Sequence, residues 1–430
     1  MDAGKPTHPA DQMKALFAAG EQELAALYVG GSDGLSLARA RSGLVDRLAR
    51  LAVERSFPVE QRETFALLAV GGYGRGELCP RSDIDLLFVF NSLDDQLRQA
   101  FARVERLFWD SGLQPSMTHL PLAEIGSIGE DLVGLTSMLG FRILCGNAEL
   151  GREFAHRLEP LRRESGPMMA RACLEPLFRA GRDRLRDVCR LQPDLKRGPY
   201  MLRDIHRLLW TEAALSPLPE SPDRSLPLGN SHGIEAASRL PCLGKSGQAL
   251  LEGYSYYLRA RAGLHYLAGR RQEVMEIPFQ ERLAADFGFI SADGSPDPSV
   301  FLRDFYRKVR GVAEALRLYA SHCRVNAAIF PAPRERFERV PVGAGLIRLG
   351  KTIYLSSADA SLLGRPSEPE RLFAPFVWMR QAGGEVADEV FSAVRATLAG
   401  VAGEEKRQLS HWAGIREMLD GAGQTAKALM

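Results

Sequence analysis

The sequence predicts an α+β protein: a small mixed-sheet domain, then a helical domain, then a small α/β C-terminal region. Three observations carry this. Two apolar runs, 65–70 and 83–90, have strand length and are separated by glycines. From about 149 to 328 the pattern is almost wholly helical, and past Pro331 strand-like runs return. The 430 residues suffice for two to three domains of about 150 residues each. Boundaries are read as 1–55, 56–148, 149–330 and 331–430.

Taken in order, the first ten or so residues are polar and contain proline, and read as a loose tail. From Met13 to Glu54 apolar residues such as Leu44, Val45, Leu48 and Leu51 recur at i, i+3/i+4. That spacing predicts helices, broken around Gly30, Gly31 and Gly34. Residues 65–70 give a first strand ending in Gly71 and Gly72, and residues 83–90 a second. A helix is expected from Asp94 to Trp109, with Leu97, Phe101, Val104, Leu107 and Phe108 on one face, then a strand near Leu113 to Leu120. This alternation argues a mixed α/β domain. Ala249 to Arg271 reads as one long amphipathic helix, preceded by a Pro-, Ser- and Gly-containing loop from Ser216 to Ser231. Arg336 to Val340 and Ile347 to Leu355 read as neighbours in a small sheet, after which helices close the chain.

Composition excludes several classes. Apolar residues make up 45% and charged residues 25%, ordinary globular values that exclude a disordered chain or a collagen-like repeat. Basic and acidic residues number 55 and 53, so no basic excess points to nucleic acid as a partner. Cys79, Cys145, Cys173, Cys189, Cys242 and Cys323 are scattered without a C-x-x-C pair, which reads as reduced thiols of a cytosolic protein. The N-terminus lacks the apolar core of a signal peptide, and no run approaches the roughly 18 apolar residues of a membrane span. A cytoplasmic protein with no membrane partner is expected.

The chemistry is expected between Val70 and Phe90. In a strand, residues i and i+2 share a side, so Asp83 and Asp85 project together. Two such carboxylates supply half of a Mg²⁺ site, which also takes phosphate oxygens and waters. Gly71 and Gly72 can turn tightly after the first strand and bring backbone N–H groups to a triphosphate. Arg75 adds a cation and Ser82 a hydroxyl. The bland alternative is a solvated turn and an edge strand. Against it, the apolar residues that follow put both acids into a strand buried on both faces, where they are costly without a cation.

These residues carry a resemblance. Gly71 to Leu78 and Ser82 to Leu87 resemble the nucleotidyltransferase signature of the bacterial protein-PII uridylyltransferases, with Cys79 where the family usually has an aromatic. Leu191 to Trp210, Arg259 to Arg271 and Gln280 to Phe289 are similar to further segments of that family, so the likeness runs from about residue 40 to the C-terminus. The resemblance implies a polymerase-β-like nucleotidyltransferase domain that transfers UMP from UTP to a tyrosine of the nitrogen-regulatory protein PII. It implies Asp83 and Asp85 as catalytic Mg²⁺ ligands, with Gly71, Gly72, Arg75, Ser82, Arg203 and Asp204 on the nucleotide side. A bland reading of Arg203 and Asp204, a surface ion pair opening a helix, stands beside it.

Three departures bear on function. The family commonly reads Gly-Pro-Gly-Gly where this chain has Gly198-Pro-Tyr-Met201. No third carboxylate can be assigned after Leu113, where Gln114 to Thr118 stand. No His-Asp dipeptide occurs, so uridylyl removal and glutamine sensing, which the longer members carry on further domains, are expected to be absent from a truncated form. Two alternatives stay open: a degenerate paralogue that binds nucleotide or a partner without chemistry, and a transferase with another donor or acceptor. Gly345 to Thr352 satisfies the literal P-loop pattern, but its strand-like flanks predict a β-hairpin turning at Gly350 and Lys351. His265, in an apolar helix, reads as packed or capping, and the Arg179 to Arg190 run as a solvated helical face.

Overall fold

The computed structural model describes residues 8–130, 132–178, 190–216, 233–324, 329, 340–343, 345–349, 352–356, 368–382 and 385–399. They form two compact units, one from Met1–Leu240 and Lys245–Ala313, the other from Pro241–Gly244 and Glu314–Met430. The Arg-rich run up to residue 189, most of the proline-containing loop and Cys189 lie outside the described residues.

In the first unit, helices α1 (Pro9–Val29) and α2 (Gly34–Ser56) are separated at the expected glycines. The Asp33 carboxylate caps α2 by accepting from the amides of Leu35 and Ser36. A four-stranded mixed sheet follows, built from β1 (Phe65–Ala69), β2 (Ile84–Phe90), β3 (Pro115–Pro121) and β4 (Arg142–Gly146) in the order β3-β2-β1-β4. Strand β1 runs antiparallel to β2 and β4, and β2 runs parallel to β3.

Alternation assigns each side chain a face. Phe65, Leu67, Ala69, Leu86, Phe88 and Phe90 join Leu44, Leu48, Phe101 and Phe108, so α2 and α4 (Asp95–Asp110) cover one side. Ala66, Leu68, Leu87 and Val89 join Phe141, Phe154 and Leu158 on the other, under α6 (Ala148–Phe178). Burial on both faces is the reason β1, and β2 from Leu86 onward, are unbroken apolar runs. Between the strands lie one helical turn, α3 (Gly71–Gly74), and α5 (Leu132–Met138).

Further helices include α7 (Leu202–Leu215), α8 (Ser246–Ala268), α9 (Ile277–Asp286) and α10 (Pro298–Arg324). The expected single helix to Arg271 stops at Ala268, because Gly269 takes a left-handed C-cap with φ 65°. Arg270 and Arg271 therefore lie beyond the helix. The loop before α7 pairs with the loop after α8: the Leu195 amide donates to the Glu273 carbonyl at 2.8 Å, and the Met275 amide to that of Pro193 at 2.9 Å.

The second unit holds a sheet in the order β5-β6-β7-β8, from Val340–Gly343, Leu346–Leu349, Thr352–Leu355 and Glu385–Val386. Its described strand begins at Val340, and residues 336–339 lie outside the description. Helices α11 (Pro369–Ala382) and α12 (Asp388–Ala399) pack on it through Phe373, Phe376, Val390 and Val394. Leu349 pairs with Thr352 across an antiparallel ladder. The P-loop pattern thus sits on a hairpin with strand on both sides, and a phosphate-binding strand-to-helix turn is excluded there. Its turn, residues 350 and 351, is outside the described set. No helix of the described residues is long and apolar enough to cross a membrane.

Candidate functional site

The site grows from the end of β1. Gly71 has φ 60°, a conformation that favours glycine, and a Cβ there would crowd Asp85 Oδ2 at 3.0 Å. A Cβ on Gly74 would stand 1.8 Å from the Gly140 carbonyl oxygen. The turn is thereby pressed against the segment entering β4. A buried network anchors it from behind. Tyr73 donates to Asp46 Oδ1 at 2.7 Å, and Arg142 grips the same carboxylate at 2.7 and 2.9 Å while donating to the Gly74 carbonyl at 3.2 Å. Burial and the Asp46 charge push the Tyr73 hydroxyl well above its usual range.

The two acids are placed unequally. Asp85 lies within β2 and is half-buried, whereas Asp83 precedes the strand and keeps 62% of its side chain exposed. The expectation that both enter a doubly buried strand is corrected for Asp83, since β2 begins only at Ile84. Burial first, then the neighbouring Asp83 charge, raise the Asp85 pKa, against the pull of Arg75, Lys196 and Arg271. This donor set suits a hard divalent cation. Among the described residues no third His, Cys, Asp or Glu completes a cluster, which leaves further coordination to water and phosphate oxygens. Strand β3 sets Ser116 opposite Asp85 and carries no carboxylate.

Cations face the acids. Arg75 donates through Nε to Glu77 Oε2 at 2.8 Å. Burial alone would raise the Glu77 carboxyl, but Arg75, His206 and Tyr254 hold it down at about 2. The Arg75 and Arg203 guanidiniums lie 6.0 and 5.3 Å from the Trp210 ring centre. Among the described residues no carboxylate pairs with Arg203; burial, then Arg207, Arg197 and Arg75, lower its pKa. Lys196 is lowered likewise by burial and by Arg261. Cations crowded this closely favour a bound anion.

Other predicted residues are engaged in holding the frame. Ser82 Oγ accepts from the Cys79 amide at 3.0 Å and from Arg261 at 3.1 Å. Asp204, 2% exposed, is no surface group; it accepts from the Tyr200 amide at 2.8 Å and pairs with Arg207 at 3.3 Å. Tyr200 takes φ 60°, a glycine-like conformation, on a buried ring. The close backbone approach falls at Gly198, where a Cβ would meet the Asp194 carbonyl oxygen at 2.5 Å. His265 is fully buried and accepts from the Arg81 amide at 3.1 Å, as a packed residue.

Sequence reasoning gave no role to Lys196, Glu77, His206, Arg261, Arg271 or Glu273. Lys196, Arg261 and Arg271 stand inside segments singled out above, and a cation there was the available signal.

Comparison with known proteins follows the same two stretches. Residues 21–111 match the nucleotidyltransferase family DUF294, and residues 175–319 match the family GlnD PII-uridylyltransferase. The bifunctional uridylyltransferase/uridylyl-removing enzyme of Ectopseudomonas mendocina is 30% identical over 303 residues, 70% of this chain and 32% of its own length. Those of Azotobacter vinelandii and Xanthomonas campestris are 29% and 30% identical over 73% and 71% of this chain, each over 34% of its own length. The chain spans about a third of the length of the curated relatives it matches.

Proposed function

Because this chain belongs to the PII-uridylyltransferase family of nucleotidyltransferases, we propose that it transfers UMP from UTP to a tyrosine of a PII protein, releasing pyrophosphate. The observation that carries the reading is the left-handed Gly71 turn, 3.0 Å from Asp85 by its virtual Cβ, with Asp83 beside it and Arg75 and Lys196 within electrostatic reach of Asp85. In this reading Asp83 and Asp85 hold Mg²⁺, which when bound neutralises the triphosphate and polarises the α-phosphate. The glycine turn seats phosphate oxygens on backbone N–H groups. Arg75, Arg203 and Lys196 balance the charge that builds on the departing pyrophosphate. The acceptor's phenolic oxygen bonds to the α-phosphorus as the bond to the β-phosphate breaks, and its proton passes to solvent.

Intact-mass measurement of a PII protein incubated with this chain, Mg²⁺ and UTP tests this. A uridylyl mass step is expected, and Asp83→Asn or Asp85→Asn should abolish it with little loss of stability. Near-full activity in either variant overturns the metal assignment. Two observations favour a second reading, binding without chemistry: the bulky Tyr200 and Met201, and the acid-free β3. Absence of pyrophosphate with all four nucleotides would select it, while pyrophosphate without a mass step would mean that the acceptor is another molecule.

A further inference from the structure

A chain of polar contacts runs from α8 through the loop after it to Asp83, and nucleotidyl transfer leaves it without a task. Arg261 donates to Ser82 Oγ at 3.1 Å and grips Glu273 through two bonds of 2.7 Å. Glu273 Oε1 accepts from Arg271 Nε at 3.3 Å. Arg271 Nη1 then reaches both carboxylate oxygens of Asp83, at 3.0 and 2.9 Å. Glu273 is largely buried, so Arg271 is held from behind by a fixed anion and presented to Asp83. Asp85 makes no ion pair among the described residues.

The Arg271–Asp83 pair is itself poorly suited to hold the fold together. With side chains 42% and 62% exposed, such a pair adds little to stability and exchanges readily. Its effect is local: while both Asp83 oxygens accept from Arg271, one lone pair of each is engaged and the guanidinium charge beside them opposes a cation. We propose that Arg271 is a latch on the cation site, occupying Asp83 until a nucleoside triphosphate, a denser anion than one carboxylate, draws the guanidinium away. The proposal rests on the reading of Asp83 and Asp85 as cation ligands. It makes cation and nucleotide binding mutually reinforcing, since each favours the unlatched Asp83.

The test is a Mn²⁺ titration of nucleotide-free protein, following the free-ion paramagnetic resonance signal, with wild type, Arg271→Ala, Arg271→Gln and Asp83→Asn. Metal-free UTP binding in EDTA is measured by calorimetry alongside. Both Arg271 variants are expected to bind Mn²⁺ about 2- to 5-fold more tightly than wild type, and to bind metal-free UTP more weakly. If Asp83→Asn abolishes Mn²⁺ binding but both Arg271 variants bind Mn²⁺ no more tightly than wild type, the latch is overturned and the cation site stands. Mn²⁺ binding that Asp83→Asn leaves untouched would overturn the cation site and the latch together.

Discussion

Gly71 and Tyr200 share a backbone conformation and respond to substitution for opposite reasons. At Gly71 an alanine would adopt φ 60° at a cost of about 1 kcal/mol and would set its Cβ 3.0 Å from Asp85 Oδ2. Gly71→Ala is therefore expected to lower stability by about 1–2 kcal/mol and to weaken Mn²⁺ binding several-fold. Gly72 is the control, since a Cβ there has only Arg75 Nη2, at 3.8 Å, within reach. Gly72→Ala should leave both the denaturation midpoint and Mn²⁺ affinity nearly unchanged, and equal losses in the two variants would refute the geometric argument. At Tyr200 a non-glycine residue already occupies φ 60°. Tyr200→Gly would relieve about 1 kcal/mol of strain, yet it deletes a fully buried ring, worth about 3–5 kcal/mol. Packing wins this balance, so the variant should be less stable by about 2–4 kcal/mol. A stabilised variant in urea denaturation would mean that the ring packs poorly.

The glycine turn, α3, is tied through Tyr73 to two other elements at once: α2 through Asp46 and β4 through Arg142. Breaking this buried set by Asp46→Leu or Arg142→Met alone leaves a charged group uncompensated and should cost about 3–5 kcal/mol. The double change Asp46→Leu with Arg142→Met should cost much less than the sum, because neither charge remains. A double-mutant cycle on unfolding free energies checks this, and additive losses would show the pair to be uncoupled. None of this network was legible in the sequence, because its members are up to 96 positions apart. What was legible is local. Strands β1 and β2 were readable because burial on both faces makes long apolar runs, interrupted in β2 only by Asp85, and helix α4 because its buried positions recur on one face. Gly71, Asp83 and Asp85 were readable because turn chemistry and the i, i+2 relation lie within fifteen residues. The end of α8 was misread because one left-handed glycine, Gly269, outweighs a helical pattern that continues past it. Arg271 meets Asp83 across 188 positions, and no periodicity records such a pairing.

At the scale of the whole molecule, acidity should act on the two units in opposite directions. In the first unit, burial drives the His206 imidazole down to about 4 against the opposing pull of Glu77, and burial with Arg261 drives His265 to about 3. Both are neutral when folded, whereas the unfolded chain takes up protons from about pH 6.5. Between these values the unfolded state binds more protons, so stability falls as pH drops through 6.5 toward 4, by about 2 kcal/mol per histidine at pH 5. Glu77 and Glu273, both held near 2, add to this only below about pH 4.5. In the second unit, burial lifts the Glu389 carboxyl to about 7, partly offset by the Leu355 amide that donates to it at 2.7 Å. Here the folded state binds the extra proton, so this contribution is complete below about pH 4.5 and is lost as pH rises through 7. Acidification from pH 7 to 5 should thus weaken protection of α7 and α8 while strengthening that of β7 and α12. Hydrogen exchange with mass-spectrometric readout, corrected for the intrinsic pH dependence of exchange, resolves the two directions. His206→Gln should flatten the response of the first unit and Glu389→Gln that of the second. Protection changing in parallel in both units would mean that these three buried groups do not govern the response.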